Sequence, residues 1–572
     1  MRRAVSMFLA LLLVLSVPVY AAGEDTAAQR QEDLDTLYEA LKEYHPNLFA
    51  NVTEEALLTK KAEIEGRLAA VDDATFALDL QSLVAMIGDS HTSLNISGVL
   101  SSGRMFPFSV RWFDGAWVVT GLPETEAAYL GWTIAALNGQ TMEQVCNKLG
   151  GFLSSDNPIK LRRQVRQCIA SAEVLAYTGV MDAGAELHLA LTGPGGEEAE
   201  VVLPALSASD DAAWPTVVQL SSRRAQVPAT AAQSGRYYFS LDLGDAYYIQ
   251  FNTCQEDPEL PMETFAAQVA EDLAAKDYDK VLIDLRNNGG GSDGVLVPIL
   301  MLLAPMVRSG AVEVWGLVGE ATFSSAAINA MEIREMGGYL AGEATSGSVD
   351  HFGSVGSFRL PNSGIQVQCS TKYITLADYL ECAVGLGVTA IQPDWEVPQT
   401  LEDYLAGRDT AVEALLARQE PFSAAEQPQA PLSRGRFIAM LRQAVGAQAD
   451  TWGMPFDDVF PFNWYVPDIV WAVELGIVGG KAEGMFAPTH CITWEEAAVL
   501  AERYLDAADA EIPIVQDGQA PGWVDALSHP WAAQYVEDAW RHGLLRDDCS
   551  PQAAICRQEG QEFLSRFVTA LG

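Results

Sequence analysis

Three short stretches of this 572-residue chain carry residue types able to do acyl-transfer chemistry. The first is Ala321-Thr322-Phe323-Ser324-Ser325-Ala326-Ala327. It follows an apolar run, Val312 to Val318, that predicts a buried strand, and Ala326, Ala327, Ile328, Ala330 and Met331 predict the start of a helix. A serine at a strand-to-helix turn is presented on a corner beside the outward N–H groups of the helix start. The same pair also reads as a helix N-cap. The second stretch is Gly88-Asp89-Ser90-His91-Thr92, on a loop where a helical pattern stops. The third, Asp284-Leu285-Arg286-Asn287-Asn288-Gly289-Gly290-Gly291, leaves a predicted strand through three glycines that expose bare amides. No Lys-Ser/Thr follows, so these amides suit an oxyanion rather than a phosphate. Ser324 as nucleophile, His91 as general base and the Gly289 and Gly290 amides as donors make the three parts of an acyl-transfer site. Ser90 stands beside the base as a possible relay, and a carboxylate near Glu381 as its orienter. His351 competes for the role of base.

These loops lie far apart, so the elements between them must bring them together. Residues 24–98 predict a helical domain, with Leu34, Leu37, Tyr38 and Leu41, then Leu78, Leu80, Leu83 and Val84, at helical spacing. Residues 99–208 are dominated by strands: Phe106, Phe108, Val110 and Trp112 alternate, and Leu187, Leu189 and Leu191 precede a Gly-Pro-Gly-Gly turn. This resembles a PDZ-like β-rich module, which binds extended peptides by strand addition. Residues 235–405 predict an α/β core, with strands at Tyr247–Phe251 and Val281–Leu285 and a helix at Phe265–Ala275. A linker is expected at 406–431, from its Pro, Ala and Gln content. Residues 432–572 contain a repeat: Trp464 and Gly476 are spaced like Trp531 and Gly543, and helix starts recur near Arg434, Trp494 and Arg557.

Bulk properties narrow the function. A net charge of −41 argues against nucleic acid as partner and disfavours anionic lipid. Residues 1–22 read as a secretory signal peptide, with Arg2 and Arg3 before an apolar run and small residues near Ala21. The run from Gly294 to Val307 is too short to span a bilayer and predicts a buried helix. An exported, soluble mature protein is therefore expected, with no transmembrane span. The eight cysteines show no metal spacing; Cys549 and Cys556 could pair, and free buried thiols are an equal alternative. No metal and no cofactor is expected.

The motifs named above are followed in order by Gly342-Glu343-Ala344-Thr345-Ser346-Gly347, Leu360-Pro361-Asn362-Ser363-Gly364 and Gln392-Pro393-Asp394. As a set they resemble the tail-specific (C-terminal processing) serine proteases of the tricorn-core and retinoid-binding-protein type, over roughly residues 30–415. The resemblance implies a multidomain α+β architecture with a ClpP/crotonase-like α/β core. It implies Ser324 as nucleophile, His91 as base assisted by Ser90, and Gly289 or Gly290 with Ser325 as the oxyanion hole. It implies a late carboxylate, for which Glu381 is the choice and Asp378 and Glu396 are rivals. The family's Ser–Lys branch carries its Lys a little after the Gly-Glu-x-Thr motif. Ser348 stands there in this chain, which favours the His branch. The C-terminal repeat resembles the all-α S-layer homology modules of Gram-positive bacteria through Phe456-Asp457-Asp458-Val459, Trp464-Tyr465 and Gly476-Ile477-Val478-Gly479-Gly480. That resemblance implies binding of an anionic cell-wall polysaccharide by Arg434 and Arg557, Trp494 replacing the Arg of the middle copy. The implied protein is an exported, wall-attached serine endopeptidase acting on peptides or proteins through an acyl-enzyme. The alternative is an inactive surface protein that holds peptides or apolar ligands on the same fold.

Overall fold

The computed structural model describes residues 26–572 apart from 98–102, 208–213, 232, 234, 423–427, 449–452 and 519; the signal peptide expected at 1–22 lies outside the described residues. The chain is a multidomain mixture of helix and sheet, as its segmental patterning implied. The α/β core is a six-stranded sheet in simple order: β1 (Tyr238–Asp242), β2 (Ala246–Phe251), β3 (Lys280–Asp284), β4 (Glu313–Val318), β5 (Tyr339–Gly342) and β6 (Trp395–Glu396). Only the β1–β2 pair is antiparallel. Every residue of β2 is buried, as expected of a strand covered on both faces. The apolar run expected as a buried helix is one, Val297–Arg308, with Ile299, Leu300 and Leu303 inside.

Before this core come three helices, Thr26–Tyr44, Glu54–Glu65 and α1 (Asp73–Ala85). A β-rich module follows, with a seven-stranded antiparallel sheet. It also carries helices that the strand pattern did not foretell, including α2 (Pro158–Cys168), capped by Asn157 through Ile159 N–H and Lys160 N–H.

A hairpin explains how remote loops meet. Strands His351–Arg359 and Gln366–Ile374 pair antiparallel, and the motif Leu360–Gly364 is the hairpin's tip. Asp33 of the first helix accepts the tip's Asn362 and Ser363 N–H groups, each at 2.8 Å. Ser93–Asn95, just after His91, adds to the hairpin as a third strand. The N-terminal helical domain is thereby fastened to a strand pair that starts at the α/β core.

The stretch expected as a linker is folded in its first half. Asp409 caps a helix, Thr410–Ala417, whose Ala411, Val412 and Leu415 are buried. Asp409 also binds Arg286 at the end of β3 (2.8 and 2.7 Å). Proline content marked the end of packing about ten residues too early.

The C-terminal region is helical: α4 (Arg434–Ala444), α5 (Val466–Glu474), α6 (Trp494–Ala508), α7 (Ala533–Arg541) and α8 (Arg557–Leu571). Its repeat is visible in the backbone. Leu432 N–H donates to Ile555 O, Ile555 N–H to Ile492 O, and Ile492 N–H to Leu432 O, closing a ring of three equivalent positions. All eight cysteines are free thiols, so Cys549 and Cys556 are unpaired.

Candidate active site

Ser324 sits where β4 turns into helix α3 (Ser325–Glu335), and its backbone is strained, with φ 54° and ψ −130°. A non-glycine residue held there costs about 1–3 kcal/mol and persists only where its surroundings enforce it. Two anchors enforce it. Thr322, fully buried, donates to Leu285 O (2.9 Å) and accepts Gly319 N–H (3.1 Å), tying the turn to the end of β3. Phe323 N–H donates to Asn288 O (3.1 Å) and Gly347 N–H to Thr322 O (3.0 Å), so the loop after β3 and the 342–347 loop both converge on the serine's turn. Gly290 must lack a side chain: at its φ of 105° a Cβ would lie 2.7 Å from that of Ser324. The Ser324 hydroxyl makes no hydrogen bond to a described residue. Residues 326–333 are all buried, so the helix behind the serine is a rigid support.

Of the amides expected to serve an oxyanion, one is already committed. Gly290 N–H is already given to Asn288 Oδ1 (2.9 Å), a fully buried side chain held in turn by Phe251 O. Gly289 faces open space. Ser325 is the first residue of α3, whose N–H has no intrahelical acceptor. Its hydroxyl donates to Gly291 O (2.8 Å), pinning the glycine loop to the helix start. Among the described residues the Gly289 and Ser325 amides have no acceptor, whereas Gly290 N–H has one.

His91 lies against this turn. Its ring stacks on Phe323, the residue before Ser324, with centroids 4.4 Å apart, and on His351 at 5.3 Å. Asp89 holds the loop by accepting His91 N–H (2.8 Å) and is itself bonded by Thr92 and approached by His45 Nε2 at 3.3 Å. Neither ring nitrogen of His91 is hydrogen-bonded among the described residues, and both are buried. Burial, reinforced by His351 and Lys160, holds the imidazole well below its ordinary range, at about 3, so it is neutral at any working pH. His351 is committed through Nδ1 to Ser348 O (3.0 Å), which leaves only its Nε2 available.

Ser90, expected to assist His91, is bonded instead to a carboxylate that the sequence pattern did not single out. Its hydroxyl donates to Asp156 Oδ1 (2.6 Å) and accepts Asp156 N–H (3.0 Å). Burial pushes Asp156 above its usual range, against the hydrogen bond from Ser90. Neighbouring Asn157 donates to Ser346 O (3.0 Å) and Ser348 Oγ (2.9 Å). Three residues on, α2 places Lys160 Nζ 3.4 Å from the centre of the Phe323 ring. Burial and Arg163 push Lys160 down to about 8. The β-rich module therefore supplies a carboxylate, an amide and an amine to a site expected from the other two domains. The one available signal was an Asp-Asn-Pro helix start, too common to single out.

Glu381 does not orient His91. Its carboxylate accepts Arg436 Nε (2.8 Å) and Nη2 (2.7 Å) and Arg557 Nη2 (3.3 Å), all from the C-terminal region. Two arginines satisfy it there, which accounts for its 4 % exposure as an ion. Of its rivals, Glu396 is exposed and Asp378 lies in a turn whose carbonyl receives Thr489 Oγ1; neither bonds His91. Arg557 is consequently engaged with Glu381. Arg434 is buried against Phe486, bonded to Phe486 O (3.2 Å) and Glu496 (3.2 Å), at the edge of a groove of about 300 Å³ lined also by Lys481, Arg503, His529 and Trp531.

Residues 455–498 match the family model of the S-layer homology domain. Sequence relatives match about a quarter of the chain. They include an endoglucanase of Bacillus sp. (strain KSM-635), 34% identical over 144 residues, which are 25% of this chain and 15% of that protein. The surface-layer 125 kDa protein of Lysinibacillus sphaericus is 29% identical over 149 residues (25% and 12%), and the cellulosome-anchoring protein of Acetivibrio thermocellus 24% over 148 residues (24% and 32%). The chain thus spans less than a third of the length of each of these relatives. Among solved structures, mature CPAF complexed with lactacystin is similar at 14% identity and a TM-score of 0.47, over 67% of this chain and 96% of that one. The photosystem II D1 C-terminal processing protease is similar at 15% identity and a TM-score of 0.32, over 67% and 98%. The family-model match lies within the C-terminal repeat that the sequence pattern marked out.

Proposed function

We propose that this chain is a surface-attached serine peptidase. The observation that carries the reading is Ser324 itself: a serine held at positive φ, between a glycine loop that would collide with any larger residue and the start of a buried helix. Such strain is kept where a side chain must be presented to a reacting group. Ser324 Oγ attacks the peptide carbonyl, and the oxyanion develops between the Ser325 and Gly289 amides. His91, neutral and one residue away across Phe323, takes the serine proton and returns it to the leaving amine. In the structure its nitrogens are unpartnered. The reading requires a hydrogen bond between Ser324 and His91 in the substrate complex, as catalytic pairs commonly tighten only with substrate. Ser90 and Asp156 brace the histidine loop. A cavity of about 350 Å³ lined by Asp156, Asn157, Arg162, Glu343 and Ala390 offers room for the peptide beside this relay.

A second base is favoured by a specific observation. Lys160 Nζ stands over the same Phe323 ring, with its amine pushed towards neutrality, and a Ser–Lys pairing would use it in place of His91.

The groove at Arg434 supports attachment to an anionic wall glycan through the S-layer homology region, placing the protein at the surface of a Gram-positive-type cell. Replacing Ser324 with Ala in the full chain is expected to abolish cleavage of casein or unstructured peptides while leaving binding to wall sacculi intact. Undiminished cleavage removes Ser324 from its role.

A further inference from the structure

The nucleophile helix α3 is gripped at both ends, and its far end is held by the S-layer homology region. Glu335, fully buried in the last turn, takes no part in the proposed chemistry. Its Oε1 accepts Asn463 Nδ2 (3.0 Å), its Oε2 accepts Cys382 N–H (3.1 Å), and its carbonyl accepts Trp464 N–H (3.3 Å). Asn463 is equally buried, and its Oδ1 accepts Phe460 N–H (2.6 Å), so the side chain is fixed at both ends. Beside this contact Phe462, 4 % exposed, joins the same apolar core as Ala327, Met331 and Met336 of α3 and its cap. The Glu381 bonds to Arg436 and Arg557 and the Thr489–Asp378 bond lie on the same interface.

We infer that Asn463 is a positioning residue for Ser324, acting through Glu335 and the length of α3. This rests on the reading of Ser324 as nucleophile. An eleven-residue helix is a rod of about 16 Å, so a shift at one end is carried to the other when the middle is packed. Burial and nearby Glu381 push Glu335 up to about 7, against the lowering effect of the Cys382 N–H and the Tyr465 hydroxyl. The wall-binding region is thus a structural part of the catalytic framework rather than a tethered tail.

The test uses the full chain and the second-order rate of Ser324 labelling by a fluorophosphonate, with kcat and KM on one peptide. Asn463→Asp keeps the bond from Phe460 N–H but turns a carboxylate on Glu335. It is expected to slow labelling and kcat about tenfold or more, with KM and sacculus binding unchanged. Adding Glu335→Gln reverses donor and acceptor across the contact and is expected to restore most of the lost rate. An Asn463→Asp rate equal to the native one, or a double variant no faster than the single, overturns the inference. If the single variant does not fold, Arg436→Gln, which cuts the adjacent Glu381 contact, is expected to lower kcat in the same way, and a native kcat there counts against it. A native chain that takes no label overturns the nucleophile reading instead. The positioning claim is then decided by deuterium exchange of residues 325–335, expected to quicken in Asn463→Asp; unchanged exchange overturns it.

Discussion

At the scale of single residues, the proposed chemistry rests on polar groups whose environments differ. His91 is neutral because burial opposes its charge. If it is the base, lowering pH through the ordinary imidazole range leaves it deprotonated, so kcat/KM should show no acid limb near pH 6.5. If Lys160 is the base, activity should instead rise with pH around 8, where its amine loses its proton, and Lys160→Met should remove that limb. A pH–rate profile on native and variant protein separates the two. Asp156 adds a second check. Replacing it with Ala leaves Ser90 without its acceptor, and a fall in kcat of about ten- to a hundredfold is expected, with little change in thermal stability. The stretches around Ser324, His91 and the glycine run, which the structure brings together, were legible because each combines an unusual residue type with a turn signal. Asp156 and Lys160 were not, because an acidic residue before a proline-started helix and a lysine within it are ordinary surface features until the fold buries them. Glu381 misled for the opposite reason. It stood in the right part of the chain, and only the arginines of two distant helices show what holds it.

At the scale of elements, α3 combines a strained start, a buried middle and a clamped end. Glu332 in its middle is 5 % exposed, and burial pushes its carboxyl up to about 8, with Asn329 donating to it at 2.6 Å. The native state therefore holds a proton that the unfolded chain releases near the ordinary carboxylate value. Stability that is full below about pH 4 should fall as pH rises to about 8, by about 1.4 kcal/mol per pH unit for one proton, and then level off. Glu332→Gln should flatten part of that slope in denaturant titrations at pH 5 and pH 8; an unchanged slope means Glu332 does not carry the proton. The parallel strands were legible from continuous apolar runs, since burial on both faces removes alternation. The hairpin of residues 351–374 was not. Its outward half is exposed and mixed, with Val355 and Tyr373 at 44% and 45% exposure, and gives no clean period.

At the scale of the whole molecule, the helical domain, the β-rich module and the α/β core meet at one serine, and the S-layer homology region packs on the helix behind it. The segmental composition gave the order of these parts because each has its own period. Their packing was beyond it, since contacts such as Glu335–Asn463 and Ser90–Asp156 join residues with no local relation. Deleting residues after 431 is expected to release the protein from wall sacculi. It should also destabilise what remains, because Phe462 leaves the core and the buried Glu335 and Glu381 lose donors worth about 1–3 kcal/mol each. A native-like melting temperature in the truncated chain would contradict the shared interface.

The central claim is that the Ser324 hydroxyl is an activated nucleophile. Treating the full-length protein with a fluorophosphonate and mapping the adduct by mass spectrometry tests it most directly. A single adduct on Ser324, lost on heat denaturation and slowed when His91 or Lys160 is replaced, is the expected result; an unlabelled Ser324 in protein shown to be folded contradicts it.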